Sequence, residues 1–109
     1  MLEPIFDNNV KEKVLLAIYV QKEIYARDLA TLFDVYLLSI QTQLKKLERG
    51  GVVVSRLKGR TRLYGFNPRY PFKSELEKLL AKALTFISPK EKARYYTPRL
   101  RPRRAGKPL

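Results

Sequence analysis

The sequence predicts a mainly α-helical domain carrying a small β-hairpin. Three observations predict it. Apolar residues recur at helical spacing in four separate segments. The segment "VVVSRLKGRTRLYGF" reads instead as two β-prone runs around a glycine. The chain has 109 residues, 45% of them hydrophobic, enough for one modest core. A domain of this size is only marginally stable alone, so a further interface would help it.

The elements follow in order. Asn8 or Asn9 is placed to cap a first helix, "VKEKVLLAIYVQKE". Val10, Val14, Ala17 and Ile18 form one stripe of it, and Leu15, Leu16, Tyr19 and Val20 add apolar area on other sides. A helix apolar nearly all round is buried nearly all round. One face should meet the core, and the rest needs a C-terminal helix or a partner subunit. Ile24-Tyr25 is short and β-prone. In "ARDLATLF", Ala26, Leu29, Ala30 and Phe33 have helical spacing, and Asp34 is a candidate cap for the next helix. That third helix runs over roughly Leu37 to Arg49, with Ile40, Leu44 and Leu47 inward and Gly50-Gly51 as its stop. In the hairpin, Gly59 sits at the tight turn. Pairing Leu57 with Leu63 would turn both to the core and set Arg56, Lys58, Arg62 and Tyr64 on the opposite face. "NPRYP" breaks the pattern. "FKSELEKLLAKALTFI" resumes a helix, about 71–88, with Leu76, Leu79, Leu80, Ala83, Leu84 and Ile87 as its stripe. The expected organisation is one domain over 1–88, followed by a flexible Pro/Arg-rich tail over 89–109.

Composition excludes several functions. There are no cysteines and no histidines, so disulfides, zinc fingers, thiolate sensors and histidine bases are absent. The acids are scattered, with no pair placed for acid–base work and no glycine loop to cradle phosphate, so no enzyme activity, cofactor or metal is expected. The longest apolar run, Val14 to Val20, is about one third of the ~20 residues a membrane span needs. "MLEPIFDNN" carries no basic region ahead of an apolar run, so no signal peptide is expected. The expected location is the cytoplasm, at the nucleoid. The net charge is +13, from 23 Lys/Arg against 10 acids. From Pro89 onward eight bases meet one acid, a net of +7, and residues 1–88 keep a net of +6. Lys45 to Lys73 alone holds nine bases and one acid, Glu48. Such a balance predicts a polyanionic partner.

Helix, short strand, two helices, basic hairpin and helix is the plan of a winged helix-turn-helix. "YARDLATLFDVYLLSIQTQLKKLERGGVVVSRLKGRTRLYGFNPR" resembles the winged-helix regulators of the ArsR-like group. The likeness covers about residues 8–88. It rests on "ARDLA", on "IQTQLKKLERGGVV" and on "GRTRLYGFNP". The resemblance implies a DNA-binding transcription factor, usually a homodimer. Its third helix would enter the major groove, its wing would touch backbone or minor groove, and its terminal helices would form the dimer interface. Two departures stand out. Members that sense metals do so through Cys or His, and this chain has neither. Tyr36 stands where Ser or Thr commonly opens the recognition helix.

The expected DNA-binding residues of the helix are Leu38, Ser39, Gln41, Thr42, Lys45, Lys46 and Arg49. Gln41 is suited to a bidentate pair with adenine and the Thr42 methyl to thymine. The three bases suit phosphates, which fix register rather than sequence. On the wing the candidates are Arg56, Lys58, Gly59, Arg60 and Arg62. Charged residues there also serve to discourage edge-to-edge strand pairing. The expected dimer interface comprises Leu15, Tyr19, Leu76, Leu80, Leu84 and Ile87. The function expected is a sequence-specific double-stranded DNA-binding regulator, a repressor acting as a homodimer. Two rivals remain: an RNA-binding or ribosome-associated protein, and a winged-helix interaction or antitoxin-like module.

Overall fold

A computed structural model of the chain describes residues 2–98. The elements are α1 (Glu3–Phe6), α2 (Asn9–Gln21), β1 (Glu23–Tyr25), α3 (Ala26–Phe33), α4 (Leu37–Arg49), β2 (Val53–Lys58), β3 (Thr61–Phe66), α5 (Lys73–Leu84) and α6 (Pro89–Tyr95). The three strands form one antiparallel sheet in the order β1-β3-β2. α2 is the pillar of the core. Asn8 caps it, its Oδ1 accepting from the Lys11 N–H at 2.8 Å. Val14, Leu15, Leu16, Ala17 and Ile18 are consecutive and all buried, so the middle of that helix is covered on every side. Leu29 and Phe33 of α3, Ile40, Leu44 and Leu47 of α4, Val53 of β2 and Leu80, Ala83 and Leu84 of α5 complete the core.

α4 spans the residues its periodicity predicts. Its end is a Schellman motif: Val52 N–H donates to the Leu47 carbonyl at 2.9 Å and Gly51 N–H to that of Glu48 at 3.0 Å. Gly51 takes φ 79°, which a Cβ would oppose. Its start differs from expectation. Asp34 does not cap α4; it closes α3 in the left-handed region at φ 54°, and Tyr36 precedes α4 with no side-chain cap.

The hairpin register also differs. Gly59 and Arg60 form a two-residue turn, so Lys58 pairs with Thr61, Leu57 with Arg62 and Arg56 with Leu63. Gly59 carries φ 69° while Arg60 does not share the positive region, the pattern of a II′ turn. The core face of the sheet therefore holds Val53, Ser55, Leu57, Arg62, Tyr64 and Phe66. Arg56, Lys58 and Leu63 lie on the other face. Leu57 sits near the hairpin tip, beyond the helices, and is exposed.

Two corrections concern the C-terminal part. The last long helix is shorter than 71–88, ending at Leu84. Residues 89–95 are not a flexible tail but a helix, α6, whose Glu91 N–H donates to Ser88 Oγ at 3.2 Å. Tyr95 stacks on Phe33 with centroids 5.3 Å apart, and the buried Tyr96 lies 5.9 Å from the same ring. Residues 99–109 of the expected tail lie outside the described residues. Of the six residues expected at a dimer interface, Leu15, Leu80 and Leu84 are buried within the chain itself. They leave little surface for a partner. Tyr19, Leu76 and Ile87 are half-buried against the core.

Candidate nucleic-acid interface

α3 and α4 form the tight helix pair, joined by three residues with Asp34 as the left-handed corner. Because Ile40, Gln43, Leu44 and Leu47 are buried, the opposite side of α4 must face outward. It carries Leu38, Gln41, Thr42, Lys45, Lys46 and Arg49, all exposed, with Ser39 at the boundary. Thr42 Oγ1 donates to the Leu38 carbonyl at 2.9 Å, so its hydroxyl proton is committed within the helix. The amide of Gln41 and the cations of Lys45, Lys46 and Arg49 make no side-chain hydrogen bond or ion pair among the described residues.

The wing divides its four bases into two kinds. Lys58 and Arg60, at the tip, have no side-chain partner among the described residues. Arg56 is engaged: its Nη2 and Nε reach Glu23 at 3.2 and 3.3 Å. That pair crosses the outer face of β3, since Glu23 sits opposite Gly65 and Arg56 opposite Leu63. The hydrogen bond and charge of Glu23 raise the Arg56 pKa. Arg62 donates through Nη1 to Ser55 Oγ at 3.3 Å, and Ser55 donates to Glu48 Oε2 of α4 at 2.8 Å. This short chain of bonds ties the wing to the end of α4. The Tyr64 phenol beside it has a raised pKa, mainly through burial and secondarily through Glu48, with Arg62 opposing. Asn67 adds a second tie, its Nδ2 donating to the Gly51 carbonyl at 2.9 Å.

Between helix and wing lies a cleft of about 260 Å³. Tyr25, Arg27, Gln41, Arg60, Arg62 and Tyr64 line it. The structure thus brings Gln41 of α4 and two wing arginines to one place and leaves Arg56 elsewhere, against Glu23. Arg27 and Tyr36 were not among the sequence candidates. Arg27 lies in the first turn of α3, and the pairing of Tyr25 with Leu63 sets it beside the wing. Tyr36 resembles a misplaced cap in sequence; in the structure the residue is 86% exposed at the entrance to α4. The signal for Arg27 lies in a pairing between distant segments, which local periodicity does not carry.

No protein-family model and no curated protein matches the chain. Solved structures do. ZitR of Lactococcus lactis, in a double-mutant form, superposes with a TM-score of 0.58 at 14% identity, over 79% of this chain and 66% of that one. The apo form of that mutant gives 0.55 at 14%, over 84% and 78%. The adhesin competence repressor AdcR of Streptococcus pyogenes gives 0.54 at 17% identity, over 84% and 78%. The chain thus spans about two thirds to four fifths of these proteins. At such identities the likeness concerns architecture: a helical body with a small three-stranded antiparallel sheet, the winged helix-turn-helix fold.

Proposed function

We propose that the chain is a sequence-specific double-stranded DNA-binding transcriptional regulator, a repressor acting as a homodimer. The observation that carries this reading is the outward face of α4. Gln41 and Thr42 stand in its leading half, Lys45, Lys46 and Arg49 follow, and the free cations of Lys58 and Arg60 stand on the adjoining wing. Base-reading groups lead, and phosphate-binding groups flank them. The rigid support of α4 by α2 and the wing suits a helix that must enter a groove in one register. The repressor named among the structures of like fold supports the regulatory part.

The homodimer rests on a different surface from the one the apolar stripe suggested. With Leu15, Leu80 and Leu84 consumed internally, the apolar side chains left exposed near the terminal helices are Ile5, Phe72, Leu79 and Phe86. Leu79 and Phe86 line an open groove of about 540 Å³ together with Leu2, Lys82 and Ala83. Two-fold pairing there would place half-sites about one helical turn, ~34 Å, apart.

Selection of bound sequences from a random duplex pool tests the regulator, and analytical ultracentrifugation tests the dimer. The expected result is a short inverted repeat, protected in a footprint and bound by two copies. Equal affinity for every duplex sequence would sink the regulator reading. RNA competing as well as duplex DNA would favour an RNA-binding role instead.

A further inference from the structure

Resting on the DNA reading above, we infer that the exposed apolar edge formed by Tyr36 and Leu38 reads the 5-methyl groups of thymine in the major groove, so that the half-site is built on A·T pairs. A single exposed leucine is ordinary on a protein surface. Leu38 is not placed as an ordinary one. It precedes the buried Leu47 by nine residues, about two and a half helical turns, and so lies on the side of α4 directly opposite the core. That is the middle of the polar face. It is 73% exposed there, and Tyr36, at the helix entrance, is more exposed still.

The neighbours extend the apolar character. Thr42 is one turn beyond Leu38 on the same side. Its hydroxyl proton is already given to the Leu38 carbonyl, so the side chain keeps its methyl and has no free donor for a base. Leu38 and Thr42, one turn apart, therefore offer carbon rather than a free hydrogen-bond donor, and Tyr36 adds the face of its ring. In the major groove only thymine presents a methyl group, and it does so beside the N6 and N7 of its paired adenine. Gln41, on the same exposed side, carries the amide that matches those two atoms. Leu38 and Gln41 together are complementary to one kind of base pair.

Charge decides the occupant. Lys45 and Arg49 flank Leu38 on its own face, and both are exposed. A second protein seated on this edge would have to cover those cations, whereas duplex DNA meets them with phosphates. Tyr36 lies at the N-terminal end of this face, where its ring has apolar area to place against a methyl or a sugar.

The test uses the full chain and two duplexes of about two helical turns, ~21 base pairs. One alternates adenine and thymine; the other is identical with deoxyuridine for every thymine. The two differ by methyl groups alone. Fluorescence anisotropy at low salt should show the thymine duplex bound at least about fourfold more tightly, the worth of one methyl group removed from water. Leu38→Ala, at an exposed position, should keep the fold by circular dichroism and bring that ratio toward one. Equal affinity of the wild type for the two duplexes overturns the inference, as does a ratio that Leu38→Ala leaves unchanged. A self-associated species lost in Leu38→Ala would identify a second copy as the occupant and overturn it also. Binding to neither duplex overturns the DNA reading itself, and this inference with it.

Discussion

Gln43 projects from the buried side of α4, yet its Oε1 has no hydrogen-bond partner among the described residues. A buried acceptor left unpaired costs about 1–3 kcal/mol. Methionine has similar length and no amide to satisfy. Gln43→Met should stabilise the domain by about 1 kcal/mol, which for a domain of this size raises the thermal midpoint by roughly 4–8 °C. A lower midpoint in circular dichroism melting would show that the amide is bonded in solution. Tyr96 gives a second prediction, in pH. Burial, with Glu91 and Glu12 adding to it, raises the phenol's pKa above the ordinary 10.0. The folded chain therefore keeps the proton that the unfolded chain releases. This contribution is complete below pH 10 and is lost as pH climbs through the raised value, by up to about 1.4 kcal/mol per pH unit. Chemical denaturation between pH 8 and about 11 should show the decline, and Tyr96→Phe should make it shallower.

Among the elements, the wing is where the bases differ most in availability. Arg56 is occupied by Glu23, whereas Lys58 and Arg60 are not. Lys58→Ala and Arg60→Ala should each lower the slope of log affinity against log salt by about 0.9, one phosphate contact apiece. Arg56→Ala should change that slope least, and Glu23→Gln should strengthen DNA binding by releasing Arg56. Titrations of one duplex at several salt concentrations rank the four variants; an Arg56→Ala effect as large as that of Arg60→Ala would contradict the ranking. The same hairpin marks the limit of what its sequence discloses. α4 was legible to the residue, because Ile40, Leu44 and Leu47 leave one helical phase open and Gly50-Gly51 close it. The hairpin was legible as a hairpin but not in register. Leucine alternates with bases on both strands, so two pairings one residue apart look equally good, and a one-residue shift turns each side chain to the other face. The turn decided it: Gly59 at positive φ makes a two-residue loop, and Leu57 is left exposed as a result. α6 was hidden for another reason. Its hold on the domain comes from Tyr95 and Tyr96 against Phe33, some sixty residues earlier, inside a stretch whose Lys and Arg content resembles a tail.

At the scale of the whole molecule, the helix-turn-helix and wing form one basic side, and the exposed apolar groove between Leu79 and Phe86 belongs to another part of the chain. The candidate interface was partly legible because charge and helical phase are written locally. The cleft joining Arg27 to Gln41 and Arg60 was not, because it depends on β1 crossing to β3. Holding these parts together is α2, whose five consecutive buried residues, Val14 to Ile18, leave its middle turns no solvent face. Strands and helices on several sides lean on the same pillar, so none of them opens alone without baring it. Amide hydrogen exchange should express this. The α2 amides from Leu16 to Ile18 should exchange only through global unfolding, with protection that falls in step with added denaturant. Amides at the hairpin tip should exchange by local fraying and ignore it. A pillar of this kind makes the domain a single cooperative unit, in which α4 has no route to melt separately from the rest.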